Sequence, residues 1–246
     1  MIKANPYGGY ITSWHATNPE NGKTKEILYQ GSSLKRTGIP PLFPCWGDSG
    51  TDLRKHGFAR DVEWTVIRDS GREISMELDS HDIRDITDKE YPKDFLVTIN
   101  AISENNNLYY LMSVKNRGNE NMEIAPAVHP YFNVDHKDKR KIKTEAIKGF
   151  DASEFDWDKS PPDNDYRFSK SAKIFLPDRT IEIEDTTPNN VFKHMVIWSQ
   201  PLNSPDYNFV CFEPVTGLAG AIKRKEIVVA PGKTWEMKLR FTVSFH

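Results

Sequence analysis

Hydrophobic and polar positions alternate with period two along most of the chain. Ile74, Met76 and Leu78 interleave with Glu73, Ser75, Glu77 and Asp79, and the same rhythm returns in Phe95-Val97-Ile99-Ala101, in Leu108-Tyr110-Met112-Val114 and in Trp235-Met237-Leu239-Phe241-Val243-Phe245. Successive side chains of a strand point to opposite faces, so each run predicts a strand with one face buried and one in water. The polar segments 103–107 and 116–120 read as hairpin loops, which makes the strands on either side antiparallel neighbours. A helical period finds room only over 81–90, where Pro92 stops it after one or two turns. The pattern therefore predicts an all-β, antiparallel sandwich. Without a fixed repeat or a Gly/Ser-rich linker, residues 1–246 read as a single domain. Two stretches, 31–57 and 149–168, read as long loops, where an all-β scaffold commonly carries its site.

Composition narrows the partners. Lys and Arg number 33 against 35 Asp and Glu, a formal net charge of −2, which gives no electrostatic reason to bind nucleic acid or an anionic membrane. A small molecule or another protein is the expected partner. No segment approaches the ~18 apolar residues of a bilayer span, and Met1–Tyr7 lacks the apolar stretch of a secretory signal, so a cytoplasmic location is expected. Cys45 and Cys211 have no CxxC spacing and read as buried thiols, with their pairing in the fold left open. The histidines at 15, 56, 81, 129, 136, 194 and 246 form no HxH or HExxH pair, so no metal is expected. No GxGxxG, Walker or GxSxG motif is present, so no nucleotide cofactor is expected either.

Three constellations carry candidate chemistry. Lys35-Arg36-Thr37-Gly38-Ile39-Pro40-Pro41-Leu42-Phe43-Pro44-Cys45-Trp46-Gly47 followed by Lys55-His56-Gly57-Phe58-Ala59-Arg60 is a proline-stiffened segment flanked by two arginines. Their planar forks suit phosphate or carboxylate, or else pair with surface acids. In the second, a strand over 122–129 would put Met122, Ile124 and Val128 on one face and the small Ala125 and Ala127 with His129 on the other, leaving room above the imidazole before Pro130 ends the ladder. In the third, alternation aligns Phe209, Cys211 and Glu213 on one face. A carboxylate continuing an apolar row is costly unless paired or used, and burial raises its pKa towards the range of a general base.

In this order the stretches resemble the aldose 1-epimerase, or galactose mutarotase-like, superfamily, and within it the hexose-6-phosphate mutarotase branch. The resemblance rests on Arg36-Thr37-Gly38-Ile39-Pro40 with Phe43-Pro44, and on His56-Gly57-Phe58-Ala59-Arg60 followed by Trp64. It continues through Tyr91-Pro92, Phe95, Leu108 and Asn116 to His129-Pro130-Tyr131-Phe132-Asn133, and ends on Val196-Ile197-Trp198 with Val210-Cys211-Phe212-Glu213-Pro214. It implies a β-supersandwich that interconverts the α and β anomers of an aldohexose or hexose 6-phosphate without metal or cofactor, as a monomer or weak homodimer.

By the same resemblance Glu213 takes the C1 hydroxyl proton and His129 delivers one to the ring oxygen. Arg36 and Arg60 hold the distal end of the sugar and His56 lines the pocket. An acid after the catalytic histidine binds hydroxyls, with Asp165 the best alignment and Asp151 a rival. Trp157 and Trp198 are aromatics placed to stack on a pyranose or to fill the core. Thr37 stands where the branch has Gly and Lys55 where it commonly has Gln; the extra cation favours an anionic sugar. The competing readings are a non-catalytic carbohydrate-binding module and a lyase-like or hydrolase-like protein on the same sandwich.

Overall fold

The computed structural model describes the whole chain, Met1–His246. Its widest sheet is antiparallel throughout, with eight strands in the order Lys143–Glu145, Ser171–Phe175, Arg179–Asp185, Thr234–Phe245, Asn107–Asn116, Phe95–Glu104, Glu73–Asp79 and Thr65–Asp69. All four alternating runs read from the sequence lie here, and Thr234–Phe245 pairs with strands on both sides. Ile74, Met76, Val97, Ile99, Leu108, Met112, Leu239 and Phe241 are buried on the inner face. Burial of each such side chain contributes roughly 1.5–3 kcal/mol, offset by the entropy lost on folding. One free edge, Thr65–Asp69, is exposed along its length and carries a bulge between Val66 and Arg68.

A second sheet covers this inner face. Its strands run Asp163–Arg167, His194–Trp198, Phe209–Val215, Ala127–Val128 and Pro41–Leu42, with Tyr131–Asn133 also pairing with Phe209–Val215. Met195, Ile197, Val210, Phe212 and Phe132 point towards the wide sheet, and the Phe132 ring lies 6.1 Å from that of Phe241. The two inner faces form the centre of a hydrophobic cluster of 54 buried residues. The result is the antiparallel sandwich that the alternation implied. Cys45 and Cys211 are both buried free thiols.

Three sequence expectations need correction. The turn at Asn105-Asn106 is a hairpin, with both residues at positive φ as a tight two-residue connection requires. Segment 116–120 is not, because the next strand, Met122–Ile124, leaves the wide sheet and pairs with Ile227–Val229. The expected strand over 122–129 is broken at Pro126 into Met122–Ile124 and Ala127–Val128, which belong to different sheets. Within the expected loop 149–168, Asp163–Arg167 is a strand whose polar composition hides it. The expected helical turns are present as Ser80–Ile83 and Arg84–Glu90.

Lys139, in the turn His136–Lys141, is completely buried with no carboxylate partner. Its Nζ donates to Ser199 Oγ at 2.8 Å and sits 5.4 Å from the Trp157 ring centroid and 6.0 Å from that of Phe209. Burial lowers its pKa from 10.5 to about 8. The unfolded chain thus holds this proton more tightly than the folded one. The charged lysine costs stability below pH 8, and the cost fades as pH rises towards 10.5, a span worth roughly 3 kcal/mol. Lys139→Met is expected to raise stability at pH 7 by roughly 1–3 kcal/mol, since Ser199 keeps its own bond to the Phe209 carbonyl. Urea unfolding between pH 7 and 10.5 checks this: the gap between variant and wild type should close as pH rises, and a constant gap would contradict it.

Candidate active site

The register of Phe209–Val215 builds the floor of the site. Val210, Phe212 and Pro214 face the core side, so Phe209, Cys211, Glu213 and Val215 lie on the other face of the sheet. Across the ladders Glu213 stands opposite Val196 and Cys211 opposite Trp198, while Tyr131 and Ala127 stand opposite Cys211 and Val215. Ala127 is small and packs with Leu42, Val196 and Val215 beneath Trp46. His129 follows directly after the strand Ala127–Val128, its backbone N–H donating to Pro40 O at 3.2 Å. Above this floor opens a cavity of about 500 Å³ whose lining includes His129, Glu213, Trp46, Trp198 and Val196.

His129 and Glu213 are both almost entirely buried, and Nε2 of the imidazole lies 3.3 Å from Oε1 of the carboxyl group. The imidazole stacks on Tyr131, with centroids 4.6 Å apart and planes at 4°, and meets the Trp198 ring edge-on at 5.6 Å. These contacts hold one orientation. Burial favours the neutral form of each group. It raises Glu213 to about 8, with the charge of Asp163 adding to the rise and the Trp46 indole, Arg60 and Lys55 opposing it. It drives His129 well below 6.5, helped by His56, Arg60 and Arg36. At neutral pH the pair therefore shares one acid proton, located on the carboxyl or on the imidazole, and it titrates as a unit.

The remaining lining comes from the proline-stiffened segment. Arg36 ends the turn Leu34–Arg36, its guanidinium 5.0 Å from the Trp198 ring centroid and its Nη1 3.4 Å from the Tyr131 hydroxyl. Gly38 (φ +65°) lets the chain pass Ile11, where a Cβ would come within 2.1 Å of the Ile11 carbonyl oxygen. His56 and Gly57 are both left-handed, at φ 69° and 67°. In that conformation His56 Nδ1 accepts from the Gly47 N–H at 3.1 Å, which leaves Nε2 to carry the ring proton. Burial depresses its pKa to about 3, so the ring is a neutral donor. Arg60 and Lys55 also line the cavity, where the three cations face Asp48 and Asp163.

Arg36, Lys55, His56, Arg60, His129, Trp198 and Glu213 thus meet in one cavity; Asp165, Asp151 and Trp157 do not line it. Asp165 lies on the same strand face as Asp163 but one pair further along, opposite Val196, with its carboxylate 3.5 Å from His194 Nδ1. Asp163, opposite Trp198, lines the cavity together with Asp48, and reading the sequence missed both. Two acids of one period-two row share a face, so only the register against His194–Trp198 distinguishes them. Asp151 caps the turn Ala152–Glu154, accepting from Ser153. Trp157 is core, donating from its indole to the Ala152 carbonyl. His129, Cys211 and Glu213 place potential metal-ligand atoms within 4.8 Å of one another. Burial holds the thiol well above 9 and the carboxyl near 8, so a metal ion would have to displace a proton from each to be bound there.

Comparison with known sequences identifies the family of this sandwich, whose imidazole and carboxyl group are paired on the floor of an open polar cleft. The aldose 1-epimerase family profile matches residues 1–242, and the chain belongs to that family. A Cenchrus ciliaris protein named "Putative glucose-6-phosphate 1-epimerase" is 23% identical over 273 residues, covering 95% of this chain and 78% of its own. Among solved structures, the Slr1438 protein of Synechocystis superposes with a TM-score of 0.79 at 23% identity, over 100% of this chain and 92% of the other. A galactose mutarotase related enzyme of Lactobacillus acidophilus gives 0.76 at 23% identity, over 100% and 95%.

Because Asp163 raises the carboxyl pKa through space, Asp163→Asn is expected to lower the Glu213 titration midpoint, whereas Asp165→Asn should leave it in place. Carboxyl ¹³C shifts of glutamate-labelled protein across a pH series read both; equal effects would remove the distinction between the two acids.

Proposed function

We propose that this chain is a mutarotase that opens and recloses the ring of an aldohexose carrying a 6-phosphate. The observation that carries the reading is the 3.3 Å contact between His129 Nε2 and Glu213 Oε1 on the floor of a cleft that also holds Arg36, Lys55 and Arg60. In its carboxylate–imidazolium form the pair has a base and an acid side by side. Glu213 removes the proton of the C1 hydroxyl while His129 protonates the ring oxygen, the C1–O5 bond breaks, and an open-chain aldehyde results. Rotation about C1–C2 presents the other carbonyl face. As the ring closes, the neutral imidazole takes back the proton of the O5 hydroxyl while O5 attacks C1, and the carboxylic acid returns its proton to the C1 oxygen, restoring the carboxylate–imidazolium pair. Each proton transfer of this kind contributes roughly 10²–10⁴-fold.

The neutral Nε2–H of His56 is a donor for a sugar hydroxyl, and Asp163 an acceptor for another. Trp198, beneath the Arg36 guanidinium, is an aromatic of the cleft lining that a pyranose would meet. The three cations support a phosphorylated substrate, as does the name borne by the Cenchrus relative. A cytoplasmic setting accords with a phosphosugar. We propose that the chain acts as a single domain, as a monomer or weak homodimer.

NMR magnetisation exchange between the anomers of glucose 6-phosphate, glucose and galactose, with and without protein, tests the reading directly. Acceleration is expected, greatest for the phosphosugar, with Glu213→Gln and His129→Ala each losing at least roughly a hundredfold in turnover while remaining folded. If both variants equilibrate anomers at the wild-type rate, the acid–base assignment is wrong. If no sugar is accelerated, a binding protein takes its place.

Only the singly protonated pair is productive. The rate should therefore be flat around neutrality, fall as pH rises through about 8, where Glu213 loses the shared proton, and fall on the acid side well below 6.5, where His129 takes a second one. A rate that keeps climbing above pH 9 would contradict this. For the phosphate, Arg60→Ala should raise KM for glucose 6-phosphate about tenfold, with a smaller change for glucose, and the difference should shrink with added salt. Equal effects on both sugars would remove the anion contact.

A further inference from the structure

The two oxygens of Glu213 have different neighbours. Oε1 faces His129, and Oε2 accepts a 3.2 Å hydrogen bond from the indole Nε1 of Trp46. That indole is well anchored. The Trp46 backbone N–H donates to the Ala125 carbonyl at 2.8 Å, and the Ala125 N–H donates in turn to that of Pro44 at 2.8 Å. The side chain packs on Leu42, Ala127, Val196 and Val215, with its ring edge-on to His56 at 6.4 Å. An indole N–H only donates, so it neither takes up nor releases a proton in turnover.

We infer that Trp46 is a positioning residue for the acid–base pair: it holds Glu213 Oε2 as a standing acceptor, confines proton traffic to Oε1, and weights the pair towards the carboxylate–imidazolium form that begins ring opening. The inference rests on the assignment of Glu213 as the base. An N–H bond to a carboxylate is charge-assisted and stronger than one to a neutral carboxyl, so the indole stabilises the ionised state selectively.

Other groups also act on this carboxyl. On its own face of the sheet stand His129 and the thiol of Cys211, and across the neighbouring strand stands Asp163. From the loops come Arg36, Asp48, Lys55, His56 and Arg60. Burial and Asp163 favour the protonated carboxyl; Arg60 and Lys55 oppose it through space, and Trp46 opposes it by direct contact at one oxygen.

Trp46→Phe removes the donor and keeps an aromatic of similar shape; replacement of Trp46 by its benzothiophene analogue, which exchanges N–H for sulfur, removes the donor alone. Two linked changes are expected in the pH profile of anomer exchange. The alkaline limb moves up by about one pH unit because the carboxyl holds its proton longer, and the plateau kcat falls about tenfold because the productive form is rarer, with KM little changed. General damage to the site would lower the rate without moving the limb.

Glu213→Gln is measured alongside. If it is inactive and neither Trp46 variant moves the limb, the role of Trp46 is overturned and Glu213 remains the base. If Glu213→Gln keeps wild-type turnover, the assignment of the base fails first. A limb that moves downward in either Trp46 variant also overturns the inference, since it would mean the indole stabilised the protonated form.

Discussion

Phe209–Val215 is buried along its entire length, and everything in the cleft hangs from its register. Alternation sends Val210 and Phe212 into the sandwich and Cys211 and Glu213 to the opposite face. A shift of one residue would exchange the two sets, driving a carboxyl group into the hydrocarbon core and a phenylalanine into the cleft. The core therefore enforces the geometry of the site. Phe132 and Phe241, packed across the two sheets, hold the sheet that carries His129 and Glu213 against the wide one.

The same burial governs the chemistry. Two groups that would ionise readily in water are enclosed by Tyr131, Trp198 and the sheet, where separated charge is expensive and a shared proton is the cheaper arrangement. The floor of the cleft is poised between two forms of equal net charge, while the walls, drawn from segments stiffened by proline and turned at Gly38 and His56-Gly57, carry the fixed charges. Floor and wall thus divide the work between proton movement and substrate retention.

How much of this could be read from the chain depended on how each element meets water. Strands of the wide sheet have one dry face and one wet, so Glu73–Asp79 and Thr234–Phe245 announce themselves by alternation. Asp163–Arg167 has no such contrast, being an exposed edge of polar residues, and its composition is that of a loop. Glu213 was legible because it interrupts an apolar row, and the two arginines because their loops are rich in proline and glycine. Asp163 was not, since it and Asp165 follow the same period and only the pairing partner separates them. The contact of Trp46 with Glu213 was equally hidden: it joins residues far apart in sequence, and nothing in a local pattern distinguishes a tryptophan that donates from one that merely fills space. The hairpin expected at 116–120 failed because loop length is local, whereas the choice of sheet is decided by the partner strand Ile227–Val229.

The bulge between Val66 and Arg68 has a bearing on solubility. The strand Thr65–Asp69 leaves a row of backbone donors and acceptors open at the rim of an eight-stranded sheet, the kind of template on which further strands add. An extra residue there breaks the spacing of that row and twists it, and Arg68 and Asp69 place opposite charges beside the break. An incoming strand from another molecule would find no continuous register to join. The widest surface of backbone in the molecule is thereby kept from becoming the seed of an aggregate, even though Val66 and Ile67 stand exposed upon it.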